Sequence, residues 1–238
     1  KMTAEDRTTL LKETFDPVNG YGYSYIRISL GASDFSLDEY TYCDKPGIEN
    51  FAMHEYDKRD LFPILKEIKA INPDVKIMAS PWSCPKWMKV NNLQELKPFD
   101  SWTSGQLNPK YYQDYAAYFV KYIQVMEAEG FKIDAVTIQN EPLNRGNSMS
   151  LYMTWQEQRD FVKSALGPAF EKAGIKDIDS YAVIDGGPMM GPVMENIDGF
   201  VNKKSKGYIL LKKDHFLIKR KTVSLERASV VSRTACEQ

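Results

Sequence analysis

Histidine is nearly absent from this chain. Of 238 residues two are histidine, His54 and His215, and that pair is too few and too far apart in sequence to suggest a histidine-rich metal centre. Cysteine is scarce too. Cys43, Cys84 and Cys236 are odd in number and widely spaced, which describes neither a disulfide framework nor a zinc site. No apolar run approaches transmembrane length. The opening Lys1-Met2-Thr3-Ala4-Glu5-Asp6-Arg7 is polar and does not read as a signal peptide. There is no Walker phosphate loop, dinucleotide fingerprint or zinc-protease helix motif. A formal net charge of −1 removes bulk charge as a reason to expect a nucleic-acid partner. No motif asks for a metal or an organic cofactor.

What is present is an alternation of helical and strand patterns. Thr3 with Asp6 reads as a helix start, and Leu10, Leu11 and Phe15 follow at helical spacing. Tyr25 to Leu30 alternates Ile26, Ile28 and Leu30 with Tyr25, Arg27 and Ser29, as a strand does. Asp60 is placed to cap a second helix, with Pro63 in its first turn and Leu61, Ile64, Leu65, Ile68 and Ile71 as its buried stripe. Val75 to Ser80 is a second strand. Asn108-Pro109 opens a third helix, whose apolar face is Tyr112, Tyr115, Ala116, Phe119, Ile123 and Met126, with Gly130 closing it. Ala135 to Gln139 is a third strand. Thr154 and Glu157 form a capping box for a fourth helix, which Gly167-Pro168 should kink or break, and Gly174 is its C-cap. Ser180 to Ile184 is a further strand, and Ile209–Leu211 and Phe216–Ile218 are short strand candidates.

This order predicts parallel strands and an α/β fold. The loops on the carboxyl side of the strands are long, as expected where such loops build a functional face. A complete eight-stranded barrel takes about 250 residues, so this chain is borderline for one. Residues 1–201 hold twenty-one Lys/Arg against twenty-nine Asp/Glu, and residues 202–238 hold ten against three. The division expected from this change is a partial (β/α) barrel catalytic domain over 1–200 and a basic tail over 201–238.

Ala135-Val136-Thr137-Ile138-Gln139-Asn140-Glu141-Pro142 carries the most chemistry. A β-branched run reads as a buried strand, and proline ends its pairing. One amide and one carboxyl are thereby left at a strand's carboxyl end, the catalytic edge of a barrel. Glu141 is suited to donate a proton to a glycosidic oxygen, a task for which burial or a neighbouring negative charge must keep the carboxyl protonated. Asn140 either donates its amide to a sugar hydroxyl or simply forms the turn before proline. Arg27 faces away from Ile26 and Ile28. Pointing inward it should meet a carboxylate, because an unpaired buried charge is costly; the other reading is a surface arginine on an edge strand. Asp34, just past that strand, either accepts sugar hydroxyl protons or caps a turn. Trp82, between Pro81 and Pro85, either walls a pocket with its N–H on a hydroxyl or packs in the core. Trp87 and Trp102 are weaker candidates of the same kind.

Three stretches resemble glycoside hydrolase family 30, the glucosylceramidase and β-1,6-glucanase group. They are Tyr25-Ile26-Arg27-Ile28-Ser29-Leu30-Gly31-Ala32-Ser33-Asp34-Phe35-Ser36, Ala79-Ser80-Pro81-Trp82-Ser83-Cys84-Pro85 and Thr137-Ile138-Gln139-Asn140-Glu141-Pro142-Leu143-Asn144. The resemblance covers about residues 5–174 and leaves the tail unmatched. It implies a (β/α)₈ TIM-barrel fold and retaining hydrolysis of β-glycosides without a cofactor. By similarity Glu141 is the acid/base, Asp34, Trp82 and Asn140 line the glycone subsite, and Arg27 supports the site. The substrate implied is a β-linked glucoside, as for a glucosylceramidase, or a β-1,6-glucan. In a retaining enzyme a second carboxyl lies about 5 Å from the first and attacks the anomeric carbon. The family places it on a later strand, and Glu237 falls at about the right distance in this sequence without a convincing strand before it. The first barrel strand and the family's side β-domain have no visible counterpart. The expectation is therefore a partial barrel, with strands two to four or five and a divergent tail, that retains sugar binding with or without turnover.

A partial barrel exposes strand edges and helix faces that a complete one covers. Self-association of the isolated chain is expected, read as a concentration-dependent mass in light scattering. A monodisperse monomer would contradict it.

Overall fold

The computed structural model describes residues 2–184, 207–211 and 216–219. Helix α1 (Ala4–Phe15) starts at Thr3, whose hydroxyl accepts the Asp6 N–H at 3.1 Å. Strand β1 (Tyr25–Ser29) follows, then α2 (Phe62–Ile71) and β2 (Lys76–Ser80). A short antiparallel pair, β3 (Lys89–Val90) and β4 (Gln106–Leu107), lies in the long connection to α3 (Tyr112–Ala128). Next come β5 (Ala135–Thr137), α4 (Trp155–Phe161), α5 (Gly167–Lys172) and β6 (Asp179–Ile184). Two further strands, β7 (Gly207–Leu211) and β8 (Phe216–Lys219), join the main sheet.

That sheet has the order β1-β2-β5-β6-β7-β8. Its pairs are parallel from β1 to β7, and β8 returns antiparallel to β7. Parallel neighbours need a crossover, which helices supply between β1 and β2, between β2 and β5 and between β5 and β6. The fold is thus α/β with a parallel sheet, a partial barrel. The antiparallel β7–β8 pair departs from strand–helix alternation, consistent with a tail unlike the rest in sequence.

The two faces of the strands separate cleanly. Ile26 and Ile28 of β1, Ile77 and Ala79 of β2 and Val136 of β5 pack into the helix-side core. Met78 and Ala135 form a small group of their own. Arg27, Ser80 and Thr137, which alternate with the core residues, carry the polar contacts that lead to the site.

Helix α3 is covered on two sides, by the sheet and by the loop between β1 and α2. Its buried face is therefore wider than the sequence stripe, adding Tyr118 and Tyr122. The Tyr122 ring stacks on Tyr42 with centroids 5.8 Å apart, and the Tyr118 hydroxyl accepts the Tyr42 N–H at 3.1 Å. That loop leaves β1 through Gly31 at φ +84, where a Cβ would stand 3.1 Å from the Tyr40 carbonyl oxygen. A side chain there would be strained and crowded, so glycine is required.

One expectation about a helix end is corrected. Asp60 does not cap α2. It lies inside a π-turn, Asp57–Leu61, with its carboxylate on Arg59. At Gly167-Pro168 the chain stays helical rather than breaking, and α-helical hydrogen bonding is distorted there. A second π-turn, Val162–Leu166, precedes this pair. The cause is the same in both places. Proline lacks an N–H and its ring crowds the carbonyl four residues back. The residue before each proline therefore donates five residues back, Phe62 to Asp57 and Gly167 to Val162. The wider turn also rotates the buried stripe. Phe62, Leu65 and Ile68 are buried, while Leu61, Ile64 and Ile71 are half-buried. The capping box of Thr154 and Glu157 and the left-handed Gly174 are as expected.

Asp57 anchors the loop that carries Asp34. It is buried, and its two carboxylate oxygens accept the Tyr40 hydroxyl at 3.1 Å and the Tyr42 hydroxyl at 3.0 Å. Burial raises its pKa, and the two hydroxyl donors oppose that only in part. A carboxyl that holds its proton more tightly folded than unfolded contributes most below its unfolded pKa, about 4, and loses that contribution as pH rises through the native value. The melting temperature of the native chain should therefore gain on that of Asp57→Asn as pH falls from about 7 to about 4. A difference independent of pH in calorimetry would refute this.

Candidate active site

The site begins on β1. The Arg27 guanidinium donates to the Ser80 hydroxyl at 2.7 Å and to the Asn140 side-chain oxygen, and it lies 4.9 Å over the Trp82 ring centroid. Ser80 is in turn hydrogen-bonded to Thr137 on β5. Arg27 therefore crosses β2 and joins three successive carboxyl ends. Its expected carboxylate contact takes a different form: the hydrogen bonds go to neutral side chains, and Glu141 and Asp34 act on it by charge. Burial lowers its pKa and the two carboxylates raise it. A guanidinium stays charged throughout.

Asn140 has one oxygen and one nitrogen to offer. Its backbone N–H donates to the Pro81 carbonyl at 2.9 Å. With its side-chain oxygen accepting from Arg27, the amide nitrogen is the group presented as a donor.

Glu141 follows at the end of β5 and is half-buried. Its Oε2 accepts the Asn144 amide at 2.8 Å and the Asn147 amide at 3.1 Å. The backbone turns tightly there, Asn144 N–H to the Glu141 carbonyl at 3.0 Å. The Asn147 nitrogen also reaches Asp34 Oδ2, at 3.4 Å. Two carboxylates from distant parts of the chain thus lean on one amide. Asp34 itself is exposed.

Trp82 is half-buried, and its indole N–H is buried with no partner among the described residues. Gln139 donates to the Trp82 carbonyl at 2.7 Å, while its own side-chain oxygen has no partner among the described residues. Buried polar groups are normally paired, so an orphan indole N–H at a strand's carboxyl end is suited to a ligand hydroxyl. Trp87 serves the scaffold instead. Trp87 donates to the Cys43 carbonyl at 2.7 Å, and Trp102 lies under Lys86.

The structure thus gathers Arg27, Asp34, Trp82, Asn140 and Glu141 at one edge. Glu237 lies outside the described residues. Sequence reading missed Asn144 and Asn147, although amides three and six residues beyond a carboxyl in a tight loop are a recognisable signal. It also missed Ser80 and Thr137, which only the register of β2 beside β5 brings together. Among the described residues no cluster of three His, Cys, Asp or Glu could hold a metal, and no helix is long and apolar enough to cross a membrane.

A parallel barrel sheet with a carboxyl, amides and an indole at its carboxyl edge has the equipment of a barrel glycosidase. The chain belongs to glycosyl hydrolase family 30, whose TIM-barrel domain matches residues 2–186. It is 34% identical over 189 residues to an endo-1,6-β-D-glucanase of Trichoderma harzianum, covering 74% of this chain and 38% of that protein. It is 34% identical over 168 residues to the lysosomal acid glucosylceramidase of Mus musculus, covering 67% and 32%. Among solved structures, that of an endo-β1,6-glucanase aligns with a TM-score of 0.81 at 54% identity, over 87% of this chain and 47% of that one. The chain spans less than half the length of each.

Proposed function

We propose that this chain carries the acid/base half of a retaining β-1,6-glucan hydrolase. The observation that carries the reading is Glu141, set at the end of β5 with its Oε2 on two amides, one of them shared with Asp34. A β-1,6-glucan is preferred to a glucosylceramide because 54% identity to a glucanase structure exceeds the 34% shared with the glucosylceramidase.

In this reading the terminal sugar lies between Asp34 and Trp82. Asp34 accepts hydroxyl protons, the Trp82 N–H donates to a hydroxyl, and the Asn140 amide donates to the 2-hydroxyl beside the reacting carbon. Arg27 keeps Asn140 in that orientation. A second carboxylate attacks the anomeric carbon as Glu141 gives its proton to the departing glycosidic oxygen. Glu141, now ionised, takes a proton from the water that releases the sugar. The attacking carboxylate comes from outside the described residues, where Glu237 also lies. Asn144 and Asn147 suit the second half of this cycle, since their N–H groups stabilise the ionised form of Glu141.

Glu141→Gln should lower kcat/KM, which reports the step in which the leaving group departs, by about 10²–10⁴-fold for a β-1,6-glucan oligosaccharide. It should cost much less on a dinitrophenyl β-glucoside, whose leaving group needs no proton. Equal losses on both substrates would remove Glu141 from the acid role. Retained sugar binding by a native chain without turnover on either substrate would instead favour a sugar-binding protein that lacks the attacking carboxylate.

A further inference from the structure

Lys89 is among the most buried side chains, 2% exposed. No carboxylate is paired with it among the described residues. Its ammonium instead donates to four backbone carbonyls: Ser101 at 3.0 Å, Trp102 at 3.1 Å, Ser104 at 3.0 Å and Ser150 at 2.8 Å. Three N–H bonds are thus shared among four acceptors. A buried charge is costly unless something replaces its water, and here four carbonyl dipoles do so. Burial pushes the Lys89 pKa down to about 8, and the dipoles favour the charged form.

These carbonyls belong to two different loops. Ser101, Trp102 and Ser104 lie between β2 and α3, and Ser150 lies between β5 and α4. The same seam is stitched by Ser150 N–H to the Trp102 carbonyl at 3.0 Å, Tyr152 N–H to Gly105 at 2.9 Å and Ser104 N–H to the Ser150 hydroxyl at 2.8 Å. Ser104 has φ +63, a left-handed conformation that non-glycine residues hold only where their surroundings impose it. Its N–H is held by Ser150 and its carbonyl by Lys89. Asn147 stands three residues before Ser150. The loop that presents it is pinned at one end by this seam and at the other by Met153 N–H on the Pro142 carbonyl at 2.8 Å.

We infer that Lys89 is a positioning residue of the active site: by tying the loop after β2 to the loop after β5, it holds the Asn147 amide between Asp34 and Glu141. Its link to catalysis rests on the acid/base reading of Glu141; its structural effect does not. An apolar residue in its place would take the ammonium donor from all four carbonyls, leaving Trp102 only the Ser150 N–H, and release the Asn147 loop.

The test follows the side-chain amide resonances of Asn147 by NMR, assigned with Asn147→Ser, together with hydrogen exchange over residues 143–150. In the native chain the Asn147 amide should stand apart from solvent-exposed amides. In Lys89→Met it should move to the exposed position, with exchange across the loop about tenfold faster. Leu65→Ala, a buried truncation on α2, is the control for general destabilisation and should leave Asn147 in place. If Lys89→Met does not fold, Ser150→Ala cuts the same seam with the ammonium retained, and it should displace Asn147 in the same direction. An Asn147 signal unmoved in the seam variant, or moved equally by Leu65→Ala, would overturn the inference. Neither readout requires turnover, so the outcome is independent of whether the chain hydrolyses glucan.

Discussion

One carboxylate oxygen organises the carboxyl edge of this molecule. Glu141 Oε2 accepts from the amides of Asn144 and Asn147, and the second of these also touches Asp34. Whenever Glu141 is ionised, its charge and that of Asp34 would otherwise repel each other. A shared N–H between them, with the Arg27 guanidinium acting on both, makes their proximity tolerable. The rest of the local structure can be understood as whatever keeps that amide, that oxygen and that cation in place.

Each participant is held by something outside the site. Arg27 is placed by its strand and steadied by Ser80, which Thr137 holds from the neighbouring strand. Asp34 rides on a loop tied down through Tyr40 and Tyr42 on buried Asp57. The loop of Asn147 closes on the seam around Lys89. Asp57 and Lys89 are both buried ionisable groups that hydrogen-bond to none of the residues gathered at the carboxyl edge. Each holds a long strand-to-helix loop by satisfying polar groups that an apolar core could not.

Much of this was legible in the chain itself. Asn-Glu-Pro after a β-branched run marked a strand end with a carboxyl on it, and β5 stops at Thr137 with Glu141 four residues on. Thr154 with Glu157 and Gly174 named a helix start and stop that the structure keeps, because caps are local and depend on a few adjacent residues. The departures fell where the backbone adjusts to proline. Pro63 and Pro168 are each absorbed by a π-turn, which periodicity cannot anticipate because the adjustment changes the period itself. Tyr118 and Tyr122 escaped notice for a different reason. A tyrosine is half polar by composition, and whether its ring is buried depends on what covers the helix from the far side.

The sequence by itself determined the local units: which segments are strands and helices, where most of them begin, and that an amide and a carboxyl stand just past the third strand of the main sheet. Those follow from propensity, capping and alternation, all of which act within a few residues. Tertiary structure alone decided the partnerships. That Arg27 bonds to Asn140 across an intervening strand, that Asn147 bridges to Asp34, and that Lys89 finds four carbonyls from two loops all depend on parallel register and loop packing. Such contacts join residues tens of positions apart, and no short-range pattern encodes their meeting.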